Sequence, residues 1–75
     1  MNKSYRVVLD TKSGVEEFVK IANNIEEEVY LENGNDLKVN AKSLMGVLYG
    51  QFEFHSLYVV STHDLLYEKF NKFII

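Results

Sequence analysis

The segment that decides the fold is Val39-Asn-Ala-Lys-Ser-Leu-Met-Gly-Val-Leu-Tyr-Gly50, in which a short helix is marked at both ends. Ser43 is a favourable helix cap, because its hydroxyl accepts a hydrogen bond from a free amide of the first turn. Gly50 is of the residue type that commonly ends helices, so the segment predicts a helix of about two turns over 43–49. Apolar side chains cover nearly the whole circumference of this helix: Leu44, Met45, Val47 and Leu48.

These four side chains cannot all face a single core. Either Leu44, Met45 and Leu48 emerge in part as a contact patch, or a longer neighbouring element covers them. Methionine is an adaptable contact residue, which suits a surface that binds several partners. The sequence leaves both arrangements open.

The residues before this segment predict a β-hairpin. Apolar and polar side chains alternate over 28–32, with Val29 and Leu31 on one side, which is the period of a half-buried strand. Asn33-Gly34 supplies the turn, and 37–40 alternate in a second short strand. The glutamate and lysine side chains of the pair are expected to share the solvated face.

Farther upstream, the sequence predicts a strand over Lys3–Asp10, because its first part alternates and is rich in β-branched and aromatic residues. The pattern Ser13-Gly-Val-Glu16 is typical of a capping box, in which serine and glutamate satisfy free amides at a helix start. A helix is therefore expected from Ser13 to Asn23-Asn24. Its apolar stripe recurs at helical spacing: Val15, Phe18, Val19 and Ala22.

Downstream, Leu57–Thr62 reads as a strand and Asp64–Ile75 as a helix with apolar residues at helical spacing. His63 is expected in the turn between them, where Ser61 or Thr62 would cap the helix. The element order is βαββαβα, which normally builds one antiparallel sheet with its helices on a single face. We therefore predict an α+β fold and a single domain over 1–75.

Composition limits the classes of function. The 75 residues, of 8.7 kDa, correspond to one domain at most, and 47% hydrophobic residues exclude a disordered segment. The absence of cysteine excludes disulfides, thiolate metal sites and a cysteine nucleophile. No signal peptide or membrane-spanning run is visible, so a cytoplasmic location is expected. A net charge of −3 with scattered basic residues disfavours a nucleic-acid-binding module.

The residue pattern also offers little for catalysis or metal binding. The two histidines, His55 and His63, have no second ligand at metal spacing, and no Gly-x-Ser-x-Gly elbow is present. Glu26-Glu27-Glu28 lacks the alternating ligands and central glycine of a calcium loop. Gly46-Val-Leu-Tyr-Gly50 lacks the lysine of a phosphate loop. No enzyme activity, metal or cofactor is therefore expected.

The segment Val39–Gly46 strongly resembles the regulatory-serine segment of HPr, the phosphocarrier of the bacterial sugar phosphotransferase system. Two upstream segments extend the resemblance. The end of the family's first helix is similar to Ala22-Asn-Asn, and its following hairpin strand is similar to Val29-Tyr-Leu-Glu-Asn-Gly34. The βαββαβα order agrees as well, so the resemblance spans nearly the whole chain. It implies an HPr-like open-faced β-sandwich, with a four-stranded antiparallel sheet and three helices on one face.

Phosphocarrier activity in that family depends on a histidine at the start of the first helix, in the context His-x-Arg-Pro. Counting back from Ala22 places Thr11 at the histidine position, Ser13 at the arginine and Gly14 at the proline. An alcohol does not form the high-energy nitrogen–phosphorus bond by which the family passes phosphate onward. The resemblance thus implies a member that cannot relay phosphate. The family's catabolite-repression paralogue also lacks the histidine and keeps the serine, although it retains the Arg-Pro pair.

The same resemblance identifies Ser43 as the regulatory serine, which a bifunctional kinase/phosphorylase modifies. It places the partner-contacting apolar patch at Leu44, Met45 and Leu48. A phosphate at a helix N-terminus meets free amides and the positive end of the helix dipole, and Lys42 is a neighbouring counter-charge. The expected function is a regulatory adaptor whose protein binding is set by Ser43 phosphorylation. Its expected partners are proteins: an HPr kinase/phosphorylase-like kinase, a transcriptional regulator or other phosphotransferase components.

Several alternatives stay open at the level of sequence. Ser43 can be a helix cap and nothing more. The chain can be a residual phosphocarrier that uses His55 or His63 as acceptor, or a fold-only homologue with another protein-binding role. A homodimer that buries the apolar short helix is also compatible with the sequence.

Overall fold

The strand that contains Val29 and Leu31 lies inside the sheet, and its buried and less buried side chains alternate as the sequence predicts. The computed structural model describes residues 1–75. In chain order the elements are β1 (Lys3–Val7), α1 (Lys12–Asn23), β2 (Val29–Glu32), β3 (Lys38–Asn40), α2 (Leu44–Glu53), β4 (Leu57–Ser61) and α3 (Leu66–Phe70). The strands form one antiparallel sheet in the order β1-β4-β2-β3. The predicted α+β class and βαββαβα order are confirmed.

One face of the sheet holds the core. Leu31 lies opposite Val59 on β4 and Val39 on β3, and Val29 lies opposite Ser61. Val29, Leu31 and Val59 pack with helix residues in a single buried cluster, which draws on all three helices. The other face is open, with Ser4, Arg6, Lys38 and Asn40 exposed to solvent.

The aromatic centre of the core lies between α1 and the end of the chain. Phe18 has no exposed surface, and its ring centroid lies 4.8 Å from that of Phe70 and 5.5 Å from that of Phe73. The second contact is edge-to-face, a favoured geometry for aromatic rings. These rings join α1 to α3 and to the residues that follow it.

The predicted capping box at Ser13 is wrong. Thr11 is the N-cap of α1, and its Oγ1 accepts a hydrogen bond from the Gly14 amide at 3.0 Å. Leu9 is buried, so the chain is held against the core as far as the second residue before the Thr11 cap. Ser13 therefore falls inside the first turn of α1.

Both ends of the chain differ from the sequence prediction. β1 ends at Val7 and not at Asp10, and α3 ends at Phe70 and not at Ile75. Residues 73–75 instead run beside β1, where the Val8 amide donates to the Phe73 carbonyl and the Ile75 amide donates to the Arg6 carbonyl. The run Phe-Ile-Ile favours extended backbone, which explains why the helix does not continue.

The turn after β4 also differs. Ser61 is the last residue of β4, one before the predicted end, and its Oγ accepts a hydrogen bond from the His63 amide. The N-cap of α3 is Leu65, which makes no side-chain capping bond, so the predicted cap at Ser61 or Thr62 is wrong. The hydroxyl of Ser61 instead donates to the Glu28 carbonyl at 2.7 Å.

α2 is longer than predicted, because it runs through Gly50 to Glu53. Gly50 faces the sheet, and a Cβ there would lie 3.0 Å from Leu31 Cδ2 and 3.2 Å from the Phe54 ring. Its absent side chain therefore permits close packing and does not end the helix. None of the helices combines the length and the apolar character needed to cross a membrane.

Candidate functional site

Ser43 stands where the chain leaves β3 and enters α2. It is the N-cap of α2, with extended backbone angles, and its Oγ accepts a hydrogen bond from the Gly46 amide at 3.1 Å. The capping role predicted for Ser43 is confirmed. Ser43 is half-buried, and its hydroxyl lies beside the first turn of the helix.

In the unmodified protein the ammonium group of Lys42 is bound by backbone carbonyls, and its role as a counter-charge for a phosphate on Ser43 stays a prediction. Its Nζ donates to the Ile25 carbonyl at 2.6 Å and to the Glu26 carbonyl at 3.4 Å. The Asn23 side-chain amide donates in turn to the Lys42 carbonyl at 3.0 Å. These bonds join Lys42 to the end of α1 and to residues 25–26, which follow α1. They hold the residue before Ser43, and therefore the start of α2, in place.

The outer side of α2 is apolar and uncovered. Val47 and Gly50 face the core, whereas the predicted patch residues Leu44, Met45 and Leu48 are 43%, 77% and 38% exposed. No neighbouring element covers them, and of the two arrangements that the sequence left open the exposed one is found. Their role in partner binding stays a prediction.

Two further residues extend this surface. Tyr49 is 54% exposed and Phe52 is 87% exposed, and both follow the patch residues at a spacing of four. Sequence reasoning missed them because it ended the helix at Gly50. We call the five exposed residues the α2 surface: Leu44, Met45, Leu48, Tyr49 and Phe52.

Thr11 lies at the start of α1, in the place where the resemblance to HPr puts the missing histidine. It borders a surface depression of about 380 Å³ together with residues 8–10, Gly14 and residues 72–75. No histidine lines this depression. The Thr11 oxygen already accepts the Gly14 amide, which is a structural role at the helix start.

The two histidines have different surroundings. Nδ1 of His63 lies 2.9 Å from a carboxylate oxygen of Glu27, and its Nε2 is buried without a hydrogen-bond partner. His55 is exposed and lines a depression of about 220 Å³ next to Val8 and Leu9. Of the two residues, His55 is the more exposed, and it lines a depression that Val8 and Leu9, which precede α1, also border.

The acidic run before β2 is engaged in local contacts. A hydrogen bond from its own backbone amide and a second from His63 hold the pKa of the Glu27 carboxyl below its usual value. Glu28 accepts a hydrogen bond from the Tyr30 hydroxyl, which raises the pKa of Tyr30. No group of three or more His, Cys, Asp or Glu side chains is placed to hold a metal ion.

No family model, curated protein or solved structure matches this chain. The likeness to HPr therefore rests on the motif residues and on the element order. The motif residues lie on three adjoining pieces of the fold: the end of α1, strand β2, and the segment from β3 into α2.

Proposed function

We propose that this chain is an HPr-like regulatory adaptor of the bacterial cytoplasm, which binds proteins under control of Ser43 phosphorylation and does not relay phosphate. One juxtaposition carries the proposal. Ser43, in a segment that resembles the regulatory serine of HPr, caps a helix whose outer side is apolar and exposed. At the start of α1, Thr11 stands in place of the phosphorylatable histidine.

A phosphate on Ser43 would meet favourable local electrostatics. Its oxygens can replace the hydroxyl as acceptor for the Gly46 amide, and the free amides of the first turn carry the positive end of the helix dipole. The modification therefore adds about −1.5 to −2 of charge without removing the cap.

That charge would lie at the edge of the α2 surface, next to Leu44 and Met45. A partner with an apolar face and an arginine or lysine beside it gains charge-assisted hydrogen bonds when Ser43 is modified. A partner with an acidic rim is repelled by the same charge. Phosphorylation at this position thus selects among partners by charge, while the apolar contacts stay the same.

The direct test uses purified protein with ATP and an HPr kinase, read by intact mass. We expect the wild type to gain one phosphate and Ser43→Asn to gain none. Asparagine is the matched control because it is about as good an N-cap as serine, whereas Ser43→Ala is expected to cost about 1 kcal/mol of stability.

Two results would contradict the regulatory role of Ser43. One is an unmodified wild type in a reaction in which HPr itself is labelled. The other is a phosphate that persists on Ser43→Asn. Circular dichroism of both proteins establishes that they are folded when the masses are compared.

The second candidate, a residual phosphocarrier, is favoured by the position of His55. This histidine is exposed beside Val8 and Leu9, close to the start of α1. His63 is the poorer acceptor, because one ring nitrogen faces the Glu27 carboxylate and the other is buried. A carboxylate next to the attacking nitrogen repels an anionic phosphoryl donor.

Incubation with phosphoenolpyruvate and the first enzyme of the phosphotransferase system separates the two candidates. We expect no acid-labile phosphate on the wild type, with HPr labelled in a parallel reaction. Label that disappears in His55→Gln would establish the residual carrier in place of the adaptor. A fold-only homologue with another protein-binding role would be modified in neither assay.

A further inference from the structure

The α2 surface is larger than a three-residue contact patch, and it carries no charge. Its five side chains lie on one side of α2. The helix contains a single charged residue, Glu53, which directly follows Phe52 at the end of this surface. The whole chain has a formal charge of −3. Two copies therefore repel each other overall, but they can meet through α2 without placing like charges opposite each other.

The α2 surface is also suited to pair with the same surface of a second copy. Its residues are spaced almost evenly on both sides of Leu48, from Leu44 at one end to Phe52 at the other. A two-fold axis that passes near Leu48 would set two α2 helices antiparallel, with Leu44 of each copy opposite Phe52 of the other. Such an interface buries the same patch on both copies, which is the requirement of a closed dimer.

The charge at the helix end favours the same arrangement. Glu53 lies at the C-terminal end of its own helix, where the negative end of the dipole makes a carboxylate unfavourable. In an antiparallel pair it comes close to the N-terminal end of the other α2, where free amides favour it. Within one copy, α2 has no acidic residue in its first turn to complement the positive end of the dipole. It also has no basic residue in its last turn to complement the negative end.

The area is sufficient for a specific dimer. From their exposed fractions the five residues present roughly 600 Å² per copy, so pairing that covers all of it would remove about 1,200 Å² from water, the lower end of specific interfaces. Two large aromatic side chains contribute much of it, and the Tyr49 ring is held edge-to-face against Phe54 at 6.1 Å. A side chain held in place loses less entropy when it binds.

We propose that a second copy of this chain covers the α2 surface, and that the free protein is a homodimer built by antiparallel pairing of α2. This inference goes beyond the adaptor function and does not depend on modification of Ser43. A partner protein that uses the same surface would have to displace the second copy.

Sedimentation equilibrium of the full chain, from about 1 to about 200 µM, tests the proposal. The wild type is expected to approach twice the monomer mass of 8.7 kDa as concentration rises. Met45→Glu and Phe52→Glu each place a charge on the interface, and each is expected to weaken association at least ten-fold. Both side chains are highly exposed in one copy, so the fold should survive, which circular dichroism checks.

Leu65→Glu is the matched control, since Leu65 is half-exposed at the start of α3, outside the α2 surface. It should leave the dissociation constant unchanged. Glu53→Lys should weaken association, because it reverses the charge that the antiparallel arrangement places near a helix N-terminus. A monomer over the whole concentration range would overturn the dimer, as would unchanged association of Met45→Glu and Phe52→Glu. Unchanged association of Glu53→Lys would overturn the antiparallel pairing.

Discussion

Replacing Phe18 with alanine is expected to lower the free energy of unfolding by about 4 kcal/mol, the cost typical of removing a fully buried aromatic side chain. The ring is fully buried, and it contacts Phe70 and Phe73, which belong to the last part of the chain. Its removal leaves a cavity at the junction of α1, α3 and residues 73–75. Because small domains are stabilised by only about 5–15 kcal/mol, urea denaturation should show a greatly lowered midpoint or a protein already unfolded in buffer.

The matched control is the same substitution at Phe52, which is 87% exposed. At protein concentrations low enough for the monomer, Phe52→Ala should change stability by no more than about 0.5 kcal/mol. Similar losses for the two variants would mean that the aromatic cluster around Phe18 does not hold the fold together.

Replacing Gly50 with valine is expected to destabilise the protein by about 3 kcal/mol, because the added side chain meets a filled space. Even the first carbon of that side chain would lie 3.0 Å from Leu31 Cδ2, closer than an ordinary contact, and the Phe54 ring is next to it. The two further methyl groups of valine have no space unless α2 moves away from the sheet.

Gly50→Ala provides the graded comparison. Alanine is favoured over glycine in a helix by about 1 kcal/mol, and its single carbon meets side-chain atoms that can shift by a few tenths of an ångström. The two effects oppose each other, so its stability should stay within about 1 kcal/mol of the wild type. Thermal and urea denaturation of both variants measures the difference. Equal stability of the valine variant and the wild type would show that α2 does not pack tightly through Gly50.

The local sequence patterns predicted β2 and the cap of α2 correctly, but they predicted the wrong cap for α1. Alternation at 28–32 predicted β2 within one residue, because one side of that strand is buried and the other is partly exposed. Ser43 was predicted correctly as a cap, since a serine that follows a strand and precedes apolar residues has few other roles. At α1, Thr11 and Ser13 are both capping residues, and burial of the preceding Leu9 selects between them.

The errors arise where contacts distant in sequence override local preference. Gly50 is a residue type that ends helices, yet it lies within α2 because Leu31 needs the space. The apolar residues of 64–75 have helical spacing, yet residues 73–75 leave the helix and bond to β1, because its outer edge offers backbone partners. Neither partner can be identified from the local pattern.

The candidate site was predicted in part. The positions of Leu44, Met45 and Leu48 around a short helix indicated that not all of its apolar side chains face the core, but the sequence could not say whether another element covers them. Tyr49 and Phe52 were missed together with the true end of the helix. What binds the surface depends on molecules outside the chain, so its assignment to partners comes from resemblance and from charge.

The pairing of residues 73–75 with β1 has a consequence for the way the chain folds. β2, β3 and α2 are neighbours in sequence, so their contacts close short loops and can form early. β1 joins the sheet only through β4 and residues 73–75, which lie fifty or more residues farther along the chain. Contacts of such separation slow folding, because the loop entropy is lost before the contacts are gained. During synthesis β1 therefore joins the sheet after β2 and β3 have paired, and it stays unpaired until β4 and residues 73–75 have been made.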